Sequence, residues 1–120
     1  MKAWFLVLLL LSGSALAEYA AEIDYSRKPP EDFPKLRQEV VYGSDEQMKR
    51  WCSRVPEASQ GRVIGCAKMH FQWNLCMVFL ATQDHEHLKH ESAHCQGYGH
   101  VGVSRTPADE WEEYKKSLKH

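Results

Sequence analysis

The chain carries almost no net charge. Its 15 Lys and Arg stand against 16 Asp and Glu, which argues against nucleic acid or an anionic membrane as the main partner, since both recruit through a basic excess. Long apolar runs are missing as well. The run Trp4–Leu11 falls well short of the roughly 20 residues that a membrane-spanning helix needs. No segment repeats and none is of low complexity, so an ordinary folded domain is expected. No two cysteines are spaced C-x-x-C, and a thiolate zinc site therefore lacks its usual pattern.

At the N-terminus, Met1-Lys2 precedes the apolar run, and Ala15-Leu16-Ala17 offers a small-x-small cleavage site before Glu18. Residues 1–17 thus read as a signal peptide. The first cysteine, Cys52, is far from that site, which argues against a lipid-anchored N-terminus. The mature protein is expected to be exported, periplasmic or secreted, with no stable membrane insertion after cleavage. Residues 18–120 carry 14 basic and 16 acidic side chains. About a hundred residues make one domain, whose small core benefits from covalent staples. Cys52, Cys66, Cys76 and Cys95 fit that need as two disulfides in an oxidising compartment.

Residues 18–34 are polar, with Pro29, Pro30 and Pro34, and read as an extended arm ahead of a domain at 35–120. Leu36–Tyr42 predicts a short strand. Ser44-Asp45-Glu46-Gln47 is a capping box opening a helix to about Arg54, before Pro56. Arg62–Met69 and Phe71–Ala81 are apolar, β-branched and aromatic enough for antiparallel strands turning near His70, with Trp73, Leu75, Met77 and Phe79 forming a core face. Thr82–Asp84 supplies turn and cap residues for a helix over His85–Gln96, ended by Gly97. Thr106-Pro107-Ala108-Asp109 opens a final helix to about Leu118. Trp51 and Trp111 are expected to pack inward. These elements make an α+β fold with a short antiparallel sheet.

The second predicted helix holds the most specific signal. Residues 90–100 read His-Glu-Ser-Ala-His-Cys-Gln-Gly-Tyr-Gly-His, which is H-E-x-x-H-x-x-G-x-x-H with every fixed position filled. His90 and His94, four apart, project from one face of a helix, and His100 arrives after Gly97 as a third ligand. Glu91 sits beside them as a base that need not be a ligand. Three neutral imidazoles, one open position for water and an adjacent carboxylate describe a catalytic zinc site, one Zn2+ per chain. The plainer reading is a histidine-rich helix (His85, His87, His90 and His94) that scavenges metal or simply faces solvent. His85-Glu86 starts no second motif, because the next histidines fall at 87 and 90. Leu88, Ser92 and Cys95 cluster on the opposite side of the helix, so Cys95 should point into the protein and away from the metal. Cys76 is its favoured partner, leaving Cys52 with Cys66, although four cysteines allow three connectivities and sequence does not choose among them.

Residues 90–100 resemble the zinc signature of the metzincin metallopeptidases. The resemblance covers about a tenth of the chain. It implies His90, His94 and His100 as zinc ligands, Glu91 as general base, a peptide or protein substrate, and a small zincin-like domain. Metzincins carry a methionine turn after the third histidine, whereas Met1, Met48, Met69 and Met77 all precede His100 and twenty residues follow it. A minimal or divergent form is therefore implied. By the same resemblance, one of the two predicted antiparallel strands pairs as an edge with extended substrate. Glu91 would take the proton of a zinc-activated water and pass it to the leaving amine. Tyr98 is a candidate oxyanion donor or an ordinary packing residue. Gly97 and Gly99 are read as positive-φ positions that turn the chain back toward the metal. Cell-wall peptide amides belong to the same substrate class. The alternative function is a non-catalytic exported module that binds zinc or a partner. The sequence does not fix the oligomeric state.

Overall fold

The computed structural model describes residues 22–53 and 63–119. The signal peptide read at 1–17 and the helix-ending Pro56 lie outside them. Among the described residues the chain folds as α+β, with a three-stranded sheet and three α-helices. The strands are β1 (Arg37–Tyr42), β2 (Gly65–His70) and β3 (Leu75–Leu80); the helices are α1 (Asp45–Trp51), α2 (His85–Cys95) and α3 (Pro107–Ser117).

Both capping boxes form. The amide of Gln47 donates to Ser44 Oγ at 3.2 Å and that of Ser44 to Gln47 Oε1 at 2.9 Å, which satisfies two amides at the start of α1 that have no partner within the helix. At α3 the Thr106 amide donates to Asp109 Oδ2 at 2.7 Å, with Pro107 in the first turn.

The strand order is β1-β3-β2. β2 and β3 pair antiparallel as expected, but β1 pairs with β3 in parallel, so the sheet is mixed rather than antiparallel. The cause lies in the connection. β1 ends and β2 begins beside the same residue, Leu80 at the end of β3. With α1 linking those two ends, β2 runs back against β1, and the hairpin return then brings β3 parallel to β1.

The predicted strand Phe71–Ala81 starts later than expected. Phe71–Trp73 forms a 3₁₀ turn closed by Asn74 at φ 53°, a left-handed conformation that asparagine adopts more readily than most residues. Trp73 is consequently no core residue: it is 65% exposed and stacks on His70 with ring centroids 5.2 Å apart. The fully buried face of β3 is the one opposite Leu75, Met77 and Phe79, although Phe79 packs in a core of its own. Cys76, Val78 and Leu80 are fully buried, whereas Leu75, Met77 and Phe79 are half-buried. A strand apolar on both faces offers no alternation to choose between them.

Each face of the sheet carries a small core built round a cystine. Cys52–Cys66 joins α1 to β2 among Met48, Val63, Trp51 and Phe79. Cys76–Cys95 joins β3 to α2 among Val78, Leu80, Leu88 and Met69. Both favoured pairings are thus formed, and both fit an oxidising compartment. No helix among the described residues is long and apolar enough to cross a membrane.

Candidate metal centre

Asp84 opens α2 by accepting the Glu86 amide on Oδ1 at 2.8 Å. From there the helix buries Glu91, Ala93 and Cys95, with Cys95 turned to the sheet by its bond to Cys76. This rotation is fixed by the Cys76–Cys95 bridge, and it leaves His90 and His94 on a half-buried flank with their rings 4.9 Å apart, edge to face.

The helix ends in a Schellman arrangement. The amides of Gly97 and Tyr98 donate to the carbonyls of His94 and Ala93 at 3.0 and 3.1 Å, with Gly97 at φ 103°. A side chain at Gly97 would be strained there and would also lie 2.6 Å from Pro29 Cβ. The turn brings the Tyr98 carbonyl to 2.8 Å from His94 Nδ1. A hydrogen bond from that nitrogen leaves Nε2 as the lone-pair atom, the outer-shell arrangement that orients histidine ligands in metal sites.

Gly99, in contrast to the expectation, does not adopt a positive φ; among the described residues the glycines that do are Gly97 and Gly102. Gly99 is required by proximity instead, since a Cβ there would lie 2.7 Å from Thr106 Cγ2. The next residue, His100, pairs with Ile23 in an isolated antiparallel bridge. Flanking it, the Asp24 amide donates to the Gly99 carbonyl at 2.9 Å and the Val101 amide to the Glu22 carbonyl at 2.8 Å.

These local structures bring three ring nitrogens together. His100 Nε2 lies 3.1 Å from His90 Nε2 and 3.0 Å from His94 Nε2, and the ligand atoms of all three residues fall within 4.8 Å of one another. Nitrogens bound tetrahedrally at about 2.0–2.1 Å from one ion would be about 3.3 Å apart. The three histidines could therefore hold one metal ion. Burial, reinforced by neighbouring His94, His100 and His87, pushes His90 down to about 4, so its imidazole is neutral, the form that binds metal, at neutral pH.

Glu91 is 6% exposed, and its Oε2 lies 4.0 Å from His90 Nε2. Space for this carboxylate comes from β2. A Cβ on Gly65 would lie 3.1 Å from Glu91 Oε2 and 2.9 Å from Leu80 Cδ2. The order of strands puts β3 in the centre of the sheet, which excludes it as the edge that pairs with substrate and leaves β2. The Ala81 amide donates to the Ile64 carbonyl at 2.8 Å, so by antiparallel alternation the main-chain groups of Gly65, Ala67 and Met69 point away from β3.

His85 is exposed, and His87 is engaged with Thr82 Oγ1 at 3.1 Å; neither joins the cluster. Cys95 is consumed in its disulfide. Tyr98 packs its ring on Tyr25, with centroids 5.2 Å apart, and its nearest link to the cluster is its main-chain carbonyl. Sequence reasoning missed the part played by residues 22–33 and by Gly65. Their contacts with the motif join residues far apart in sequence, through main chain at His100, ring packing at Tyr98 and close approach at Gly97 and Gly65, and no local pattern announces them. Comparison with protein-family models, curated proteins and solved structures finds no significant match.

Proposed function

We propose that the chain is an exported zinc-dependent metallopeptidase of a minimal, metzincin-like type that hydrolyses peptide bonds. The observation that carries this reading is the convergence of His90, His94 and His100 nitrogens beside a buried carboxylate, Glu91. His90, His94 and His100 would hold the zinc. Held there, zinc supplies a Lewis acid for the scissile carbonyl and brings the pKa of a water close to neutrality. Glu91 would accept a proton from the water as its oxygen bonds to the scissile carbon, and would return it to the amine nitrogen as the C–N bond breaks. Its burial keeps bulk water from competing for the carboxylate. The outward main-chain groups of Gly65, Ala67 and Met69 offer an extended peptide a strand to pair with, next to Glu91. The two disulfides support export.

The test is cleavage of casein and of a peptide library by the mature protein, alone, with chelator and as Glu91→Gln. Cleavage that stops in both controls supports the proposal; cleavage that survives either one refutes it.

One observation favours a second reading, a non-catalytic zinc-binding or partner-binding module. A groove among the described residues, lined by Phe33, Pro34, Lys35, Leu36, Gln38, Cys95 and Gln96, includes neither Glu91 nor any of the three histidines. One zinc per chain with no hydrolysis across the library would favour that reading.

A further inference from the structure

His90 and His94 are placed by the helix that carries them, but His100 lies in a loop between two positive-φ glycines, Gly97 and Gly102. Nothing in the regular geometry of α2 determines where its imidazole goes. The N-terminal segment supplies that constraint. Glu22 and Asp24 bond main chain to main chain on either side of His100, at Val101 and Gly99. Ile23, directly opposite His100, is 9% exposed. Four residues after Ile23, Arg27 spreads its guanidinium over the same loop, Nη1 donating to the Val103 carbonyl at 2.9 Å and Nη2 to the Ser104 carbonyl at 3.1 Å. Pro29 and Phe33 then close over Gly97, and Asp32 pairs with Lys115 on α3. The segment therefore holds the loop on both sides of the third histidine.

We propose that residues 22–27 are a positioning strap for the third metal ligand, with Arg27 as the side chain that sets where His100 sits. This rests on the metal-site reading above. A loop free to sample other conformations offers a ligand only part of the time, and apparent affinity falls by that fraction. Arg27 suits the task because its planar fork reaches two successive carbonyls with pre-organised donors, which a single ammonium cannot do. Its guanidinium bonds fall three and four residues past His100, so Arg27 acts on the ligand through the loop that carries it.

The experiment is a double-mutant cycle on metal affinity. Zinc affinity is measured by chelator competition, and cobalt is substituted so that its visible absorption reports ligand number. Wild type, Arg27→Ala, Arg27→Lys, His100→Ala and the double variant Arg27→Ala/His100→Ala are compared, with unfolding of each metal-free protein as control. Arg27→Ala should weaken zinc binding by about 10-fold, the factor expected when the freed loop presents His100 to the metal about a tenth of the time. Arg27→Lys should recover part of that loss. In the His100→Ala background the same change should have no effect, and the cobalt spectra of Arg27→Ala and His100→Ala should shift in the same direction.

Equal zinc affinity in wild type and Arg27→Ala would overturn the proposal. So would an equal loss in both backgrounds, or collapse of the metal-free fold, because Arg27 would then serve the domain rather than the ligand. If wild type itself binds no zinc, the metal-site reading fails first, a result distinct from either.

Discussion

Glu91 and His90 are neighbours on one helical turn, and the proposed chemistry asks opposite things of them. Glu91 has to carry charge to take a proton, while His90 has to stay neutral to offer a lone pair. Glu91→Gln keeps the shape of the carboxyl group but accepts no proton. It should leave zinc affinity nearly unchanged and lower peptide hydrolysis by about 10²–10⁴-fold, as single-turnover assays on the zinc-loaded variant would show. For His90, the folded pKa of about 4 lies below the ordinary 6.5, so on acidification the unfolded chain gains its proton first. The metal-free protein is therefore stabilised by a neutral His90 above about pH 6.5, and that stabilisation is lost as pH falls from there toward 4. Urea unfolding of the metal-free protein across this window should show the decline, and His90→Asn should show a shallower one. Identical slopes would mean that this imidazole is as well solvated in the folded protein as in the unfolded chain.

The elements differ in how far their signals are local. α2 was legible because its cap Asp84, its ligands, Gly97 and His100 fall within 17 consecutive residues, and each acts on a near neighbour. Gly97 shows how strong such a signal is, since one residue combines a φ of 103° with contact to Pro29 and Phe33. Gly97→Ala should cost on the order of 1–2 kcal/mol for the left-handed backbone alone, with more for the overlap at Pro29, and should weaken zinc binding because His100 follows on the displaced chain. Chemical unfolding and zinc competition on one protein preparation measure both. The sheet was less legible. Its antiparallel hairpin follows from two apolar runs and a short turn, whereas the parallel placement of β1 depends on where α1 delivers the chain. The buried face of β3 was unreadable for a different reason, since both faces are apolar and the choice is made by the partner of Cys76 on another element. Gly65 makes the same point for the site: the side chains that crowd it are Leu80 and Glu91, 15 and 26 positions away, and no short-range pattern carries that.

As a whole molecule the protein has two thin cores on opposite faces of one small sheet, each centred on a cystine. Cores this thin gain from cross-links, which restrict the unfolded chain. The disulfides hold α1 and α2 to the sheet, but neither reaches the loop 97–104 or the strap at 22–27. A metal held by His90, His94 and His100 would be the third cross-link, joining α2 to that loop and, through Ile23 and Arg27, to the N-terminal segment. Zinc should therefore stabilise the native state by mass action. At a free concentration about 100 times its Kd, the gain is about 2.7 kcal/mol, which in a domain of this size raises Tm by roughly 10–20 °C. Calorimetry of the oxidised protein with zinc and with chelator should show that difference. His85→Ala should retain it in full, because His85 stands outside the cluster, while His100→Ala should lose most of it with both disulfides intact. The same shift in both variants would mean that the metal binds a diffuse histidine surface, and the proposed active site would have no organised third ligand.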